Sequence, residues 1–151
     1  MTYRPLLCIL LAALAVSTLP GQFYDVTRYA DEEGISRIVR GVTQDRNGFL
    51  WVAGQDGLFK YDGQQFKAYH ADLSDTLGLR NNRISMVLES VDRKIWIGTL
   101  DGLHYLDIET NQIHFKPLKA DQNRSQAGIT YLFEDRDQNL WVGTYDGMFI
   151  I

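Results

Sequence analysis

From residue 39 onward, apolar blocks of strand length alternate with polar turn clusters, and the alternation repeats. Val39, Val42 and Gln44 return as Ile84, Val87 and Glu89, and again as Ile129, Leu132 and Glu134. Each set predicts a first strand whose apolar positions follow the pleat, with room for a bulge. A turn follows in each unit: Asp45-Arg46-Asn47-Gly48, Ser90-Val91-Asp92-Arg93 and Asp135-Arg136-Asp137-Gln138. Asp, Asn and Gly tolerate turn conformations and bond their own backbone. The next strand, Leu50-Trp51-Val52, Ile95-Trp96-Ile97 or Leu140-Trp141-Val142, is apolar on both faces, as a strand buried between two layers is. Gly54, Gly98 and Gly143 close it, out of register, because units two and three read Gly-Thr where unit one reads Ala53-Gly54. Asp56-Gly57, Asp101-Gly102 and Asp146-Gly147 then predict a second hairpin through the positive φ that such turns need. Third strands follow at Leu58-Phe59-Lys60-Tyr61 and Leu103-His104-Tyr105-Leu106, and fourth strands near 66–69 and 113–115. Residues 23–29 alternate well enough for one further strand ahead of the repeats.

Trp51, Trp96 and Trp141 are each 45 residues apart. A fixed period of this size with strand content marks a β-propeller, one four-stranded blade per repeat. The predicted fold class is therefore all-β: a partial β-propeller of about two and a half four-stranded antiparallel blades. The expected divisions are 1–21 signal peptide, 22–35 N-terminal strand and linker, 36–80 first blade, 81–125 second blade and 126–151 incomplete third blade. Because propellers bury each blade against its neighbours, the expectation is a fragment of a larger ring that is marginal and aggregation-prone alone.

The signal peptide is read from a short basic start ending in Arg4, an unbroken apolar run from Leu6 to Val16, and small or helix-breaking residues to Gln22. The run is shorter than the roughly 20 apolar residues a bilayer-spanning helix needs, so no membrane span is expected in the mature chain. Cleavage is expected near Gly21 or Gln22. The sole cysteine, Cys8, would leave with the peptide, so neither a disulfide framework nor thiol chemistry follows. Export without disulfides fits a bacterial periplasm or cell surface. The mature balance is 14 basic against 19 acidic side chains, with no basic stretch, so nothing points to nucleic acid or anionic lipid.

Candidate chemistry is sparse. Asp135-X-Asp137-X-Asn139 begins like a calcium loop, but Leu140 stands at the place of the required glycine, and the same slot in the other units is a hairpin. His70, His104 and His114 lack metal-ligand spacing and read as surface or packed rings. Most carboxylates fall at repeat-equivalent turn positions, which favours turn formation over acid–base catalysis. The tryptophans have apolar neighbours on both sides and read as interblade core rather than sugar-stacking platforms. No catalytic, cofactor-binding or metal-binding residues are assigned, and no cofactor is expected. The best candidates for ligand contact are Arg80, Asn82 and Arg83, in the polar connector leading into the second unit, where Arg and Asn suit a carbohydrate or other small molecule.

The unit resembles the two-component regulator propeller repeat, in which an acidic turn is followed by Leu-Trp-Val-Gly-Thr, two variable residues, Gly-Leu and Tyr-Asp. Leu140 to Gly147, Asp45 to Trp51 and Gly57 to Gly63 carry the likeness, which covers residues 23–151. Ala53, Ser90 and Arg93 depart from it. The resemblance implies a periplasmic ligand-sensing segment of a two-component signal-transduction receptor, often a hybrid histidine kinase, responding to polysaccharide breakdown products. It implies further blades or a second receptor copy as partners, and no catalysis in this chain. The alternatives are a fragment of a propeller-type carbohydrate-active enzyme, or an oligomeric lectin-like or structural propeller protein.

Overall fold

The computed structural model describes residues 24–72, 74, 78–118 and 128–151. The expected signal peptide and Cys8 lie outside the described residues. Eleven strands are present among them, in three antiparallel sheets. The first holds β1 (Val39–Gln44), β2 (Leu50–Gly54), β3 (Leu58–Tyr61) and β4 (Phe66–Tyr69), hydrogen-bonded in chain order. The second holds β5 (Ile84–Glu89), β6 (Lys94–Thr99), β7 (Gly102–Asp107) and β8 (Gln112–Lys116) in the same order. The third holds β9 (Ile129–Glu134), β10 (Leu140–Thr144) and β11 (Gly147–Ile150). The leading strands lie together in space, β5 flanked by β1 and β9. Among the described residues, no helix is long and apolar enough to cross a membrane.

The sheets stack through two apolar cores. Trp51, Ala53 and Leu58 of the first sheet meet Ile84, Val87, Ile95, Ile97 and Leu106 of the second. Trp96 and Leu103 of the second meet Ile129, Leu132, Leu140 and Val142 of the third. The two-residue alternation of a strand explains the division: Trp96 enters one core while Ile95 and Ile97 on either side enter the other. Complete burial of each such side chain is worth about 1.5–3 kcal/mol.

The leading strands carry apolar residues three apart, a spacing that a simple pleat would put on opposite faces. A bulge resolves it. Register shifts leave Arg40, Ser85 and Thr130 as the extra residue of each strand, again one repeat apart. Ile84 and Val87 thereby reach the same core, as do Ile129 and Leu132. The turns after these strands share a left-handed residue: Gly48 at φ 89°, Arg93 at 64° and Gln138 at 67°. Left-handed backbone costs a residue bearing Cβ about 1–2 kcal/mol. Arg93→Gly is therefore expected to stabilise the chain by about 0.5–1 kcal/mol, net of glycine's greater unfolded-state entropy, read as a rise in urea midpoint.

Two expectations need correction. The span 23–29, read as a strand, is irregular from residue 24, and a 3-10 turn follows at Asp31–Glu33. Tyr29 docks on rings instead of a ladder, 5.4 Å from Tyr61 and 5.5 Å from Phe66, centroid to centroid. The second correction concerns Asp56-Gly57. Gly102 and Gly147 have positive φ, but Gly57 does not. The glycine is required there by crowding rather than by φ, since a Cβ would stand 2.9 Å from His70 Nδ1 and 3.0 Å from the Tyr69 carbonyl oxygen.

The N-terminal segment also explains why unit one lacks the Gly-Thr pair. Thr99 Oγ1 donates to the Gly102 carbonyl at 3.0 Å and accepts the Asp101 N–H at 3.1 Å, and Thr144 repeats both bonds. At the equivalent Gly54, an added Cβ would stand 2.7 Å from Ser36 Cβ. Ser36, in the lead-in to β1, occupies that space, donating to the Ile38 carbonyl at 3.1 Å and accepting the Gln55 N–H at 3.2 Å.

Candidate functional site

The acidic turns are built from the chain's own hydrogen bonds. Asp45 Oδ1 accepts the backbone N–H of Asn47 at 2.9 Å and of Phe49 at 3.0 Å, and Oδ2 accepts the Trp51 indole N–H at 2.8 Å. Asp135 does the same with Asp137, Asn139 and Trp141, the last at 2.7 Å. The Trp141 indole and the Asn139 side chain and backbone hold the Asp135 carboxyl down at about 2. One carboxylate thus closes a hairpin and satisfies an indole, which leaves the turn neither metal-like nor suited to proton transfer. Asp45→Ala strands the buried Trp51 N–H and should cost about 2 kcal/mol in urea denaturation.

Adjacent sheets are tied at the same end. Arg46 N–H donates to Glu89 Oε2 at 3.1 Å, and Val91 N–H donates to Glu134 Oε2 at 3.1 Å. Each glutamate ends the leading strand of one sheet and holds the turn of the sheet before it.

Arg80, Asn82 and Arg83 all lie on the connector entering β5. The Arg80 guanidinium sits 3.7 Å from the Phe115 ring centroid, and its side chain is exposed. Asn82 Oδ1 accepts the Ala71 N–H at 2.6 Å and so closes the loop. Arg83 is exposed, with its backbone N–H bonded to Asn81 Oδ1 at 2.8 Å. The connector therefore offers two exposed guanidinium groups beside an amide already engaged in loop closure. A neighbouring cavity of about 510 Å³, between the outer strands of the first two sheets, is lined by Tyr69, His70, Leu79, Asn111 and His114 among others.

His104, read from the sequence as a surface or packed ring, is packed. It is fully buried, its ring lies edge-on to Phe115 at 5.1 Å, and its Nδ1 has no hydrogen-bond partner. Burial, aided by the nearby Arg80 charge, pushes its pKa down to about 4. The available signal was the repeat itself: Phe59 and Phe149 hold the equivalent positions, so an imidazole occupies a phenyl slot. Among the described residues, no group of His, Cys, Asp and Glu is arranged to hold a metal ion.

The profile of the two component regulator propeller matches residues 123–146, which take in β9, the Asp135 turn and β10. The structure resembles the extracellular domain of the hybrid two-component system BT3049 of B. thetaiotaomicron, with a TM-score of 0.70 and 30% identity. That likeness covers 79% of this chain and 17% of that one. The extracellular domain of BT4673 from the same organism, described as a one-component system, gives 0.63 and 25%, over 74% of this chain and 15% of that one. Virginiamycin B lyase from Staphylococcus aureus gives 0.53 and 16%, over 75% of this chain and 40% of that one, a likeness of fold alone. No curated protein sequence matches. The chain spans under a fifth of the length of the two extracellular domains. Residues 123–146 thus carry a repeat of the two-component regulator propeller family, and its Trp-centred turn, bulge and strand order recur at 45 residues through the described sheets.

Proposed function

We propose that this chain is a ligand-sensing stretch of an exported two-component receptor, acting in the periplasm or at the cell surface and doing no chemistry itself. The likeness to receptor extracellular domains across most of the chain carries this reading. The engagement of Asp45 and Asp135 in their own turns supports it. The third sheet adds a further support. Phe133, Trp141 and Ile150 form one cross-strand row, and Tyr131, Gly143 and Met148 the next. In the first two sheets, the equivalent face receives the following sheet; here Tyr131, Phe133, Met148 and Ile150 are exposed. A ring that continues past this sheet gives that face its cover. Arg80 and Arg83 are the proposed ligand contacts, with carbohydrates as the ligand class that matches their chemistry.

Two measurements test the reading. Alkaline phosphatase fused after residue 151 should be active in cells, since that enzyme matures only outside the cytoplasm; an inactive, stable fusion removes the export claim. Titration of the chain with acidic oligosaccharides should give binding that weakens in Arg80→Ala and Arg83→Ala, with the sugar recovered intact. Conversion of the sugar to product would overturn the non-catalytic assignment.

A further inference from the structure

The first and third repeats satisfy their tryptophan from within, and the second does not. Asp45 and Asp135 each place a carboxylate oxygen on an indole N–H six residues on. Ser90 holds the equivalent position before Trp96. Its hydroxyl donates instead to Asp92, which also pairs with Lys94. Among the described residues, nothing accepts the Trp96 Nε1 proton. The indole is not sealed off either, being 8% exposed against 1% for Trp51.

The place of the missing carboxylate opens on a cleft of about 400 Å³ between the second and third sheets, bordered by Trp96, Tyr105, Lys94, Lys116, Ser90 and Glu134. The two acidic side chains on its border are already engaged: Asp92 with Ser90 and Lys94, Glu134 with the Val91 N–H. Lys116, at the end of β8, has no ion pair among the described residues. The cleft therefore presents a free indole donor and a cation against an apolar wall of Trp96, Tyr105 and Leu140. An amphipathic anion complements that combination.

We propose that this cleft binds a small carboxylate-bearing molecule, its carboxylate taking the place held by an aspartate in the other two repeats, accepting from Trp96 Nε1 and facing Lys116. A carboxylate is favoured because the fold twice uses one, at 2.8 and 2.7 Å, against the same indole atom. A neutral hydroxyl would accept the proton but leave Lys116 unanswered. The proposal concerns this chain alone and stands apart from the sensor reading.

The test uses the full chain labelled with ¹⁵N, whose three tryptophans give three indole N–H resonances, that of Trp96 assigned through Trp96→Phe. Sodium acetate titrated at constant ionic strength is expected to move the Trp96 resonance saturably, in the millimolar range, and to leave the other two in place. Glucose should move none. Ser90→Asp supplies the carboxylate internally and should abolish the acetate response while raising the urea midpoint. Lys116→Gln alters an exposed side chain and should weaken acetate binding several-fold, which keeps the test decisive if Ser90→Asp does not fold. A Trp96 resonance indifferent to acetate, an equal response to chloride, or an undiminished response in Lys116→Gln would overturn the proposal.

Discussion

Trp51→Ala is expected to cost about 3–5 kcal/mol of folding stability, and Trp141→Ala only about 1–2 kcal/mol. The residues are repeat-equivalent, make the same indole bond to an aspartate, and sit at the centre of the same strand. They differ in what covers them. Trp51 is sealed between the first two sheets, with Tyr69 at 5.7 Å on one side and the Lys60 ammonium 5.3 Å from the ring. Trp141 lies on the outer face of the third sheet, in a row with Phe133 and Ile150, and is only half-buried. Truncating a sealed indole leaves a cavity that the surrounding sheets fill only in part; truncating one on an open face leaves none. Urea midpoints of the two variants, compared at unchanged slope, measure the difference. Equal losses would contradict the stacking of the sheets.

Acidification gives the second large effect. Lowering the pH from 7 to about 4 should remove on the order of 3 kcal/mol through His104 alone. The unfolded imidazole titrates near 6.5, whereas the folded one is pushed down to about 4 by burial and the Arg80 charge. Between these values the unfolded chain binds a proton that the folded chain refuses. Stability is thus complete above the unfolded value and falls as the pH drops toward the folded one. The carboxylates of Asp62, Asp92, Asp107 and Asp135 are all held below their ordinary range, so their stabilisation persists through this window and is lost at lower pH. His104→Phe installs the ring that the other two repeats use and should flatten the dependence between about pH 4.5 and 6.5. An unchanged slope in that variant would show that the imidazole is not held neutral by its surroundings.

The period, the strand order and the buried second strands were legible because each signal occurs three times and each is local. Even the bulge was written into the three-residue spacing of Val39 and Val42, since no unbroken pleat brings both to one face. What sequence reasoning missed depends on contacts between distant segments. Ser36 completes Gly54 from 18 residues upstream, a pairing that no local pattern encodes. Residues 23–29 carried a strand-like alternation, but Tyr29 uses its ring against Tyr61 and Phe66, and side-chain docking leaves the same pattern as backbone pairing. Asp56-Gly57 was read through turn chemistry, whereas the glycine answers to the ring of His70. At the candidate ligand site, polar composition marked the connector, while the hydrogen bond from Ala71 to Asn82 became visible only once the loop had closed. The open indole of the second repeat was visible in principle: Ser90 breaks a column that reads Asp in the units on either side.

The loan of a serine to Gly54 makes the first blade unlike its siblings in one practical respect. The second and third carry their own threonine and close that hairpin from within. The first depends on the lead-in to β1: cut short of Ser36 it would carry a hole beside Phe59, and a threonine restored at position 54 in its present setting would collide with Ser36. A copy of the first blade placed elsewhere in such a gene therefore has to begin early enough to bring Ser36 with it.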